Sequence, residues 1–113
     1  MNFTVTEQDN YSVITSQADK LNAAIAPELK SAILNLNKSS VNNIIIDLGH
    51  TSYCDSSGLS AILTANRLCK DSSGHFILAG LQPNVKKMIE IAQLDRVLMI
   101  REDVDAALSE LNP

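Results

Sequence analysis

The order of apolar and polar residues predicts two strands at the start of the chain. Phe3 and Val5 are apolar and alternate with threonines, which is the period of a strand with one buried face. Asp9 and Asn10 are turn-forming residues, and the segment "YSVIT" that follows is again strand-like. The pattern therefore predicts an N-terminal hairpin, and the polar residues after it are predicted to form a loop.

Apolar residues three and four positions apart predict helices further along the chain. The first begins near Pro27, whose missing N–H suits the first turn of a helix, and the second follows "CDSS". The third lies within "QPNVKKMIEIAQL", where Asn84 is a candidate N-cap. The last is predicted within "EDVDAALSEL".

Three apolar segments without strict alternation separate these helices. They read "IIIDL", "HFILAG" and "RVLMI", and such runs are typical of strands covered on both faces. Gly74 lies just before the second of them and is free to adopt the positive φ that would end the preceding helix.

Strands that alternate with helices imply parallel pairing through crossover connections. The predicted fold class is α/β, with a mixed, mostly parallel sheet, an N-terminal hairpin and about four helices. A chain of 113 residues has the size of one domain, so residues 1–113 are expected to form a single domain.

Composition and charge argue against several classes of function. Thirteen acidic and nine basic side chains give a net charge of −4, which would repel nucleic-acid phosphates and anionic lipids. Aromatic residues make up 4% of the chain and tryptophan is absent, which disfavours a base-stacking platform. No segment approaches the ~20 apolar residues of a membrane span. We therefore expect neither a nucleic-acid nor a membrane partner.

The first ten residues have neither the basic start nor the apolar stretch of a signal peptide, so we expect a cytoplasmic protein. Cys54 and Cys69 are then expected to be free thiols. The sequence has no metal-spaced Cys/His cluster, P-loop or G-x-G-x-x-G motif, so no metal or other cofactor is expected. A hydrolase would need G-x-S-x-G with a base, for which only His50 and His75 are available. No catalytic residue is assigned, and an enzyme is not expected.

Candidate chemistry is concentrated in the stretch "CDSSGLSAIL", which joins a strand-like segment to a helix. One interpretation is a helix cap, for which either Asp55 or Ser56 is suitable. A single cap suffices, however, so at least one of the hydroxyls of Ser56 and Ser57 is surplus to it. Loops at the carboxyl ends of strands in α/β sheets are also where ligands and partners bind. A phosphate on a serine here would face backbone N–H groups and the positive end of the helix dipole.

The segment "IIIDLGHTSYCDSSGLSAILTANRLCK" strongly resembles the STAS domain, the fold of bacterial anti-sigma factor antagonists. The downstream "GHFILAGLQPNVKKMIEIAQLDRVLMI" is similar to the strand, helix and final strand that follow in that family. The resemblance implies that Ser56, with Ser57 as the alternative, is phosphorylated by an anti-sigma factor serine kinase of the GHKL type. It also implies that the unphosphorylated form binds this kinase and frees the sigma factor, and that a PP2C-type phosphatase resets the switch. The alternative is a constitutive STAS scaffold in another signalling assembly.

Further roles follow from the resemblance. Asp55, Ser57 and Gly58 would support the phosphorylation site, with Gly58 allowing close approach by the partner. The family commonly carries a G-x-L/I-D motif after the second strand, and this chain has "SQADKLN" there, with either Asp19 or "KLN" aligned to the motif. We expect a monomer. Candidate partner-binding residues lie in this loop and on the exposed side of the following helix: Asp19, Lys20, Asn22, Ser60, Thr64 and Arg67.

Overall fold

The computed structural model describes residues 2–8 and 10–111. In chain order the described elements are β1 (Phe3–Glu7), β2 (Ser12–Ser16), β3 (Lys20–Leu21), α1 (Ala26–Lys38), β4 (Ile44–Asp47), β5 (Tyr53–Cys54), α2 (Ser56–Asp71), β6 (Phe76–Ala79), α3 (Pro83–Ile91), β7 (Met99–Arg101) and α4 (Val104–Leu111). The hairpin is confirmed, because β1 pairs antiparallel with β2 and Val5 lies opposite Ile14. Asp9, which the sequence assigns to the turn, lies outside the described residues.

The main sheet of the described chain has five strands in the order β1-β2-β4-β6-β7. The pairs β2–β4, β4–β6 and β6–β7 are parallel, with Ile46 opposite both Ile14 and Leu78. Together with the antiparallel hairpin this is the mixed, mostly parallel sheet that the sequence predicts. The fold class is α/β.

Both faces of the sheet are covered, which explains why the central strands lack alternation. On β4, Ile44 and Ile46 join the larger core cluster with residues of α1, α2 and α3, whereas Ile45 joins a second cluster with Ala107 of α4. All three isoleucines are at most 1% exposed. Burying such a side chain contributes about 1.5–3 kcal/mol, so a polar substitution anywhere in this run would weaken the fold.

A second, two-stranded sheet is the main departure from the predicted fold. The segment "SQADKLNAA" was expected to be a loop, but Lys20 and Leu21 form β3 and pair in parallel with Tyr53 and Cys54 of β5. Two residues are too few to carry a recognisable period, which is why the pattern shows only polarity. This small sheet fixes the loop after β2 beside the start of α2.

Two residues assigned to helix ends do not have the predicted role, although both helices lie where the sequence predicts them. Asn84 lies inside α3, whose N-cap is Gln82, because Pro83 already occupies the first turn. At the end of α2, Ser73 adopts the positive φ of 61°, not Gly74. A Cβ on Gly74 would lie 1.9 Å from the carbonyl oxygen of Asn42, so the glycine is required by close packing instead.

The last strand is shorter than the segment "RVLMI" predicts. Arg96 belongs to a 3₁₀ turn over Leu94–Arg96, and pairing begins only at Met99. Over the described parts of the chain, no helix has both the length and the apolar character needed to cross a membrane.

Candidate functional site

At the junction between β5 and α2, Asp55 caps the helix and the hydroxyls of Ser56 and Ser57 make no hydrogen bond among the described residues. Asp55 is the N-cap, with extended backbone angles, and its Oδ1 accepts a hydrogen bond from the backbone N–H of Gly58 at 3.1 Å. Of the two candidates for the cap, Asp55 is therefore the one that fills the role. Neither Ser56 nor Ser57 has a hydrogen-bond partner for its hydroxyl among the described residues.

Ser56 and Ser57 differ in how far solvent reaches them. Ser56 is exposed at the first position of α2, whereas Ser57 is half-buried. The first N–H groups of a helix have no intrahelical acceptor, and the helix dipole favours negative charge there. A substituent on the Ser56 oxygen would break no internal hydrogen bond of the described chain.

Gly58 is buried and supports internal packing. A Cβ at this position would lie 2.6 Å from the Sγ of Cys54 and 2.6 Å from the carbonyl oxygen of Leu21. Both distances are shorter than any normal contact, so only glycine lets α2 pack this closely against β3 and β5. These contacts give Gly58 a packing role at the β5–α2 junction.

The pKa values of the two thiols are both raised by burial. Burial, and secondarily the charge of Asp55, raises the pKa of Cys54 to about 12. Burial also raises the pKa of Cys69 to about 11. Both cysteines are free and buried, as predicted, and a protonated buried thiol is a poor nucleophile.

Asp19 and Lys20 lie beside the strand that leads to Ser56. The carbonyl oxygen of Asp19 accepts hydrogen bonds from the backbone N–H groups of Ser52 and Tyr53, at 2.8 and 3.2 Å. The hydroxyl of Ser52 also donates to the Asp19 carboxylate. Asp19 and Lys20 are both exposed, so the structure brings these two predicted residues to the surface next to the β5–α2 junction.

Asn22, in contrast, shapes the backbone. Its carbonyl oxygen accepts hydrogen bonds from the N–H groups of Ile25 and Ala26, and its Oδ1 accepts one from Ala24 at 3.0 Å. These bonds turn the chain from β3 into α1. Asn22 therefore affects the surface by positioning the loop.

A buried pair of hydroxyls, which sequence reasoning missed, joins the loops that follow β2 and β4. Thr51 donates its hydroxyl proton to the carbonyl oxygen of Ala18 at 2.7 Å. The Ser16 and Thr51 oxygens are also 2.7 Å apart, and because Thr51 has already used its proton, Ser16 must be the donor. The signal was available, since Ser16 shares the parity of buried Ile14 on its strand.

The other predicted contacts follow Ser56 along α2. Ser60, Thr64 and Arg67 lie four, eight and eleven positions after Ser56, which places all four residues along one side of the helix. Ser60 and Arg67 are exposed, whereas Thr64 is half-buried and its hydroxyl donates to the carbonyl oxygen of Ser60 at 2.9 Å. The structure thus extends the surface around Ser56 down the helix.

A cleft of about 350 Å³ adjoins Ser56 between α1 and α2. Its lining, which we call the Ser56 cleft, is formed mainly by three residues from each helix: Ala26, Pro27 and Lys30, and Ser56, Ser57 and Ser60. The position of Lys30 near Ser56 cannot be read from the spacing of residues within one helix, because it arises only when the starts of α1 and α2 pack together.

The two histidines lie at the surface of the protein. His50 and His75 are exposed, and neither makes a hydrogen bond to Ser56 or Ser57 in the described chain. Within residues 2–8 and 10–111, no group of three His, Cys, Asp or Glu side chains is placed to hold a metal ion.

Comparisons with known proteins agree with this architecture. An anti-sigma-B factor antagonist of Staphylococcus epidermidis is 20% identical over 102 residues, which cover 90% of this chain and 93% of that protein. The crystal structure of an anti-sigma factor antagonist from Mycobacterium paratuberculosis has a TM-score of 0.87 at 22% identity, covering 98% of this chain and 93% of that one.

The anti-sigma factor antagonist SpoIIAA is similar to this chain in two solved forms. Its unphosphorylated structure has a TM-score of 0.76 at 18% identity and covers 97% of both chains. The phosphorylated Bacillus form has a TM-score of 0.75 at 20% identity, covering 96% of this chain and 98% of that one. At these identities the solved structures show a shared fold. The STAS domain model matches residues 2–107, which is nearly the whole chain, and the protein therefore belongs to the STAS-domain family.

Proposed function

We propose that this protein is an anti-sigma factor antagonist whose partner binding is switched by phosphorylation of Ser56. The STAS domain match over residues 2–107 supports this role. Further support comes from the relatives named as anti-sigma factor antagonists, and from the likeness to SpoIIAA in both its unphosphorylated and phosphorylated forms.

The observation that most supports this role is the state of the Ser56 hydroxyl. It is exposed and unpaired among the described residues, while the neighbouring Asp55 caps α2. A serine that the helix does not need for its own hydrogen bonds is free to be a kinase substrate. Ser57 is the alternative acceptor, but it is only half-exposed.

In the proposed cycle, the unphosphorylated chain binds an anti-sigma serine kinase of the GHKL type and so releases the sigma factor. The kinase then catalyses attack of the Ser56 oxygen on the γ-phosphorus of ATP. A new O–P bond forms, ADP leaves, and the serine proton passes to a base on the kinase. A PP2C-type phosphatase hydrolyses the phosphoserine and restores the binding form.

In this proposal, the negative charge added by phosphorylation of Ser56 switches off binding to the kinase. A phosphoserine carries about −1.5 to −2 charges at neutral pH, and here it would stand next to Asp55 at a surface that the kinase covers. Desolvation of this charge and its repulsion of acidic partner groups disfavour the complex. A difference of about 3 kcal/mol between the two forms changes the affinity more than a hundredfold.

The proposed kinase-binding surface surrounds Ser56. It combines exposed residues between β2 and α1 with one side of α2, on which Thr64 is half-buried: Asp19, Lys20, Ser60, Thr64 and Arg67. Asn22 contributes by holding the loop in place. We further propose that residues 1–113 act as one monomeric domain in the cytoplasm. In this proposal the kinase and the phosphatase are the enzymes, and this chain is their substrate and not itself an enzyme.

Phosphorylation in an extract of the source cells tests this proposal. Purified chain is incubated with extract and Mg-ATP, and the phosphate is located by intact-mass and peptide mass spectrometry. Ser56→Ala is compared with Ser57→Ala, a matched control in the same helical turn. We expect one phosphate on the wild type and on Ser57→Ala, and none on Ser56→Ala. An unmodified wild-type chain, in an extract that phosphorylates a control substrate, would favour the constitutive scaffold instead.

A further inference from the structure

The Ser56 cleft places a single positive charge opposite three hydroxyl groups. Lys30 reaches it from α1, and Ser56, Ser57 and Ser60 line it from α2. The remaining lining residues are apolar, so Lys30 is the charged group among the described residues that line it. With a volume of about 350 Å³, the cleft has room for a phosphoryl group.

Lys30 has no partner of its own. It is half-buried, yet it forms neither an ion pair nor a hydrogen bond within the described residues. Arg101, by comparison, is held by Glu110 at 2.8 Å. The other lysines of the described chain are also unpaired, but all of them are exposed, so Lys30 differs from them in being half-buried and in lining a cleft.

The chemistry of lysine suits this position. Its ammonium is a compact charge with three donors at the end of a flexible stem, and lysine is a common phosphate ligand. Ala26 and Pro27 line the same cleft, so apolar surface is available to the stem of the side chain. The polar residues that share the cleft with Lys30 are the neutral serines of α2.

We infer that Lys30 binds the phosphate of phosphorylated Ser56 and holds it within the cleft between α1 and α2. The inference presupposes phosphorylation of Ser56, and it adds how the modified state is stabilised. The phosphate occupies part of the cleft and neutralises Lys30. Phosphorylation therefore removes a positive charge from the surface that a partner meets, in addition to repelling acidic partner groups.

The test is a phosphorus-31 NMR titration of the full-length chain with phosphoserine incorporated at position 56 during translation. The second pKa of the phosphate is measured in the wild type, Lys30→Gln, Lys30→Arg and Lys38→Gln. Lys38 is exposed in the last turn of the same helix and outside the cleft, so it is the matched control. Asp55 is common to all four proteins. Thermal unfolding confirms that each variant is folded.

We expect Lys30→Gln to raise the second pKa of the phosphate by about 0.3–0.7, because the dianion loses its partner. Lys30→Arg should retain the wild-type value within about 0.2, and Lys38→Gln should do the same. The difference between wild type and Lys30→Gln should shrink in high salt. Equal pKa values in wild type and Lys30→Gln, or equal shifts in the two glutamine variants, would overturn the inference.

Different experiments would contradict the proposed function and the proposed role of Lys30. Because translation installs the phosphate without a kinase, the titration reports on Lys30 even if no enzyme modifies the chain. Absence of phosphate in the cell-extract assay would count against the proposed function and leave the titration unaffected.

Discussion

The carboxylate of Asp55 accepts a hydrogen bond from the backbone N–H of Gly58 at 3.1 Å, and this bond leaves the intervening serine hydroxyls free. Asp55 therefore serves the stability of α2, while Ser56 is available for a regulatory role. Because Asp55 caps the helix and the neighbouring Ser56 does not, a substitution can change helix stability at Asp55 or the proposed switch at Ser56 without changing the other.

Replacing the cap should destabilise the fold, whereas replacing the switch residue should not. We expect Asp55→Ala to lower the free energy of unfolding by about 1 kcal/mol, the usual effect of losing an N-cap. Ser56→Ala should change it by less than about 0.5 kcal/mol, because the exposed hydroxyl has no partner to lose. Equilibrium unfolding in urea measures both values. A larger loss for Ser56→Ala than for Asp55→Ala would show that the capping role has been misassigned.

Gly58 should be far less tolerant of alanine than another glycine of the chain. A Cβ at Gly58 meets Leu21 and Cys54 at 2.6 Å, whereas at exposed Gly49 the nearest atom, Asp47 Oδ1, is 3.1 Å away. We expect Gly58→Ala to cost about 1–3 kcal/mol through overpacking, after the gain in helix propensity is included. Gly49→Ala should cost less than about 1 kcal/mol. The comparison uses the same urea titrations, and similar costs at both sites would contradict the packing role of Gly58.

Removing the buried hydroxyl of Thr51 should lower the free energy of unfolding more than removing the half-exposed hydroxyl of Thr64. Thr51→Val leaves Ser16 Oγ and the Ala18 carbonyl without their partner, so we expect a loss of about 1–3 kcal/mol. Thr64→Val removes a hydroxyl that also donates to a carbonyl, but at a half-exposed site, and should cost less than about 0.5 kcal/mol. Combining Ser16→Ala with Thr51→Val should cost less than the sum of the single changes. Strict additivity would argue against the hydroxyl pair.

Alkaline pH should weaken the fold through the two buried thiols. Burial, with a smaller contribution from Asp55, raises the pKa of Cys54 from 9.0 to about 12. Below pH 9 both states keep the proton and stability is complete; above it the unfolded chain loses the proton first, so stability falls as the pH rises towards 12. The slope approaches about −1.4 kcal/mol per pH unit for each thiol. Urea midpoints between pH 8 and 10.5 should fall less steeply in Cys54→Ala than in the wild type, and parallel slopes would contradict this account.

The pattern of apolar residues is sufficient to predict the strands of the main sheet and the four described helices, because the helices repeat an apolar spacing and the central strands are continuous apolar runs. The run at Ile44–Ile46 illustrates this, since burial on both faces leaves a continuous apolar segment. The small sheet at Lys20–Leu21 could not be predicted in the same way. Its formation depends on pairing with Tyr53 and Cys54, more than thirty residues later, and no local pattern records that contact.

Likewise, only those residues of the candidate site that are adjacent in the sequence could be predicted from it. The stretch from Asp55 to Gly58 is visible in the sequence because cap, hydroxyls and glycine are adjacent. Lys30 and Thr51 are not, since their places beside Ser56 and Ser16 arise only when separate loops and helices pack together. Gly58 is also visible in the sequence, but sequence alone does not distinguish a glycine needed for close approach by a partner from one needed for internal packing.

The affinity of the cognate anti-sigma kinase for three forms of the full-length chain tests the switch most directly. The forms are the unmodified protein, the protein with phosphoserine at Ser56, and a control with phosphoserine at Ser73, which is exposed beyond the far end of α2. The kinase is purified by its activity on the unmodified chain, and binding is measured by calorimetry. We expect phosphoserine at position 56 to weaken binding more than about a hundredfold, and at position 73 by less than about tenfold. Equal affinity for the unmodified and Ser56-phosphorylated forms would contradict the switch.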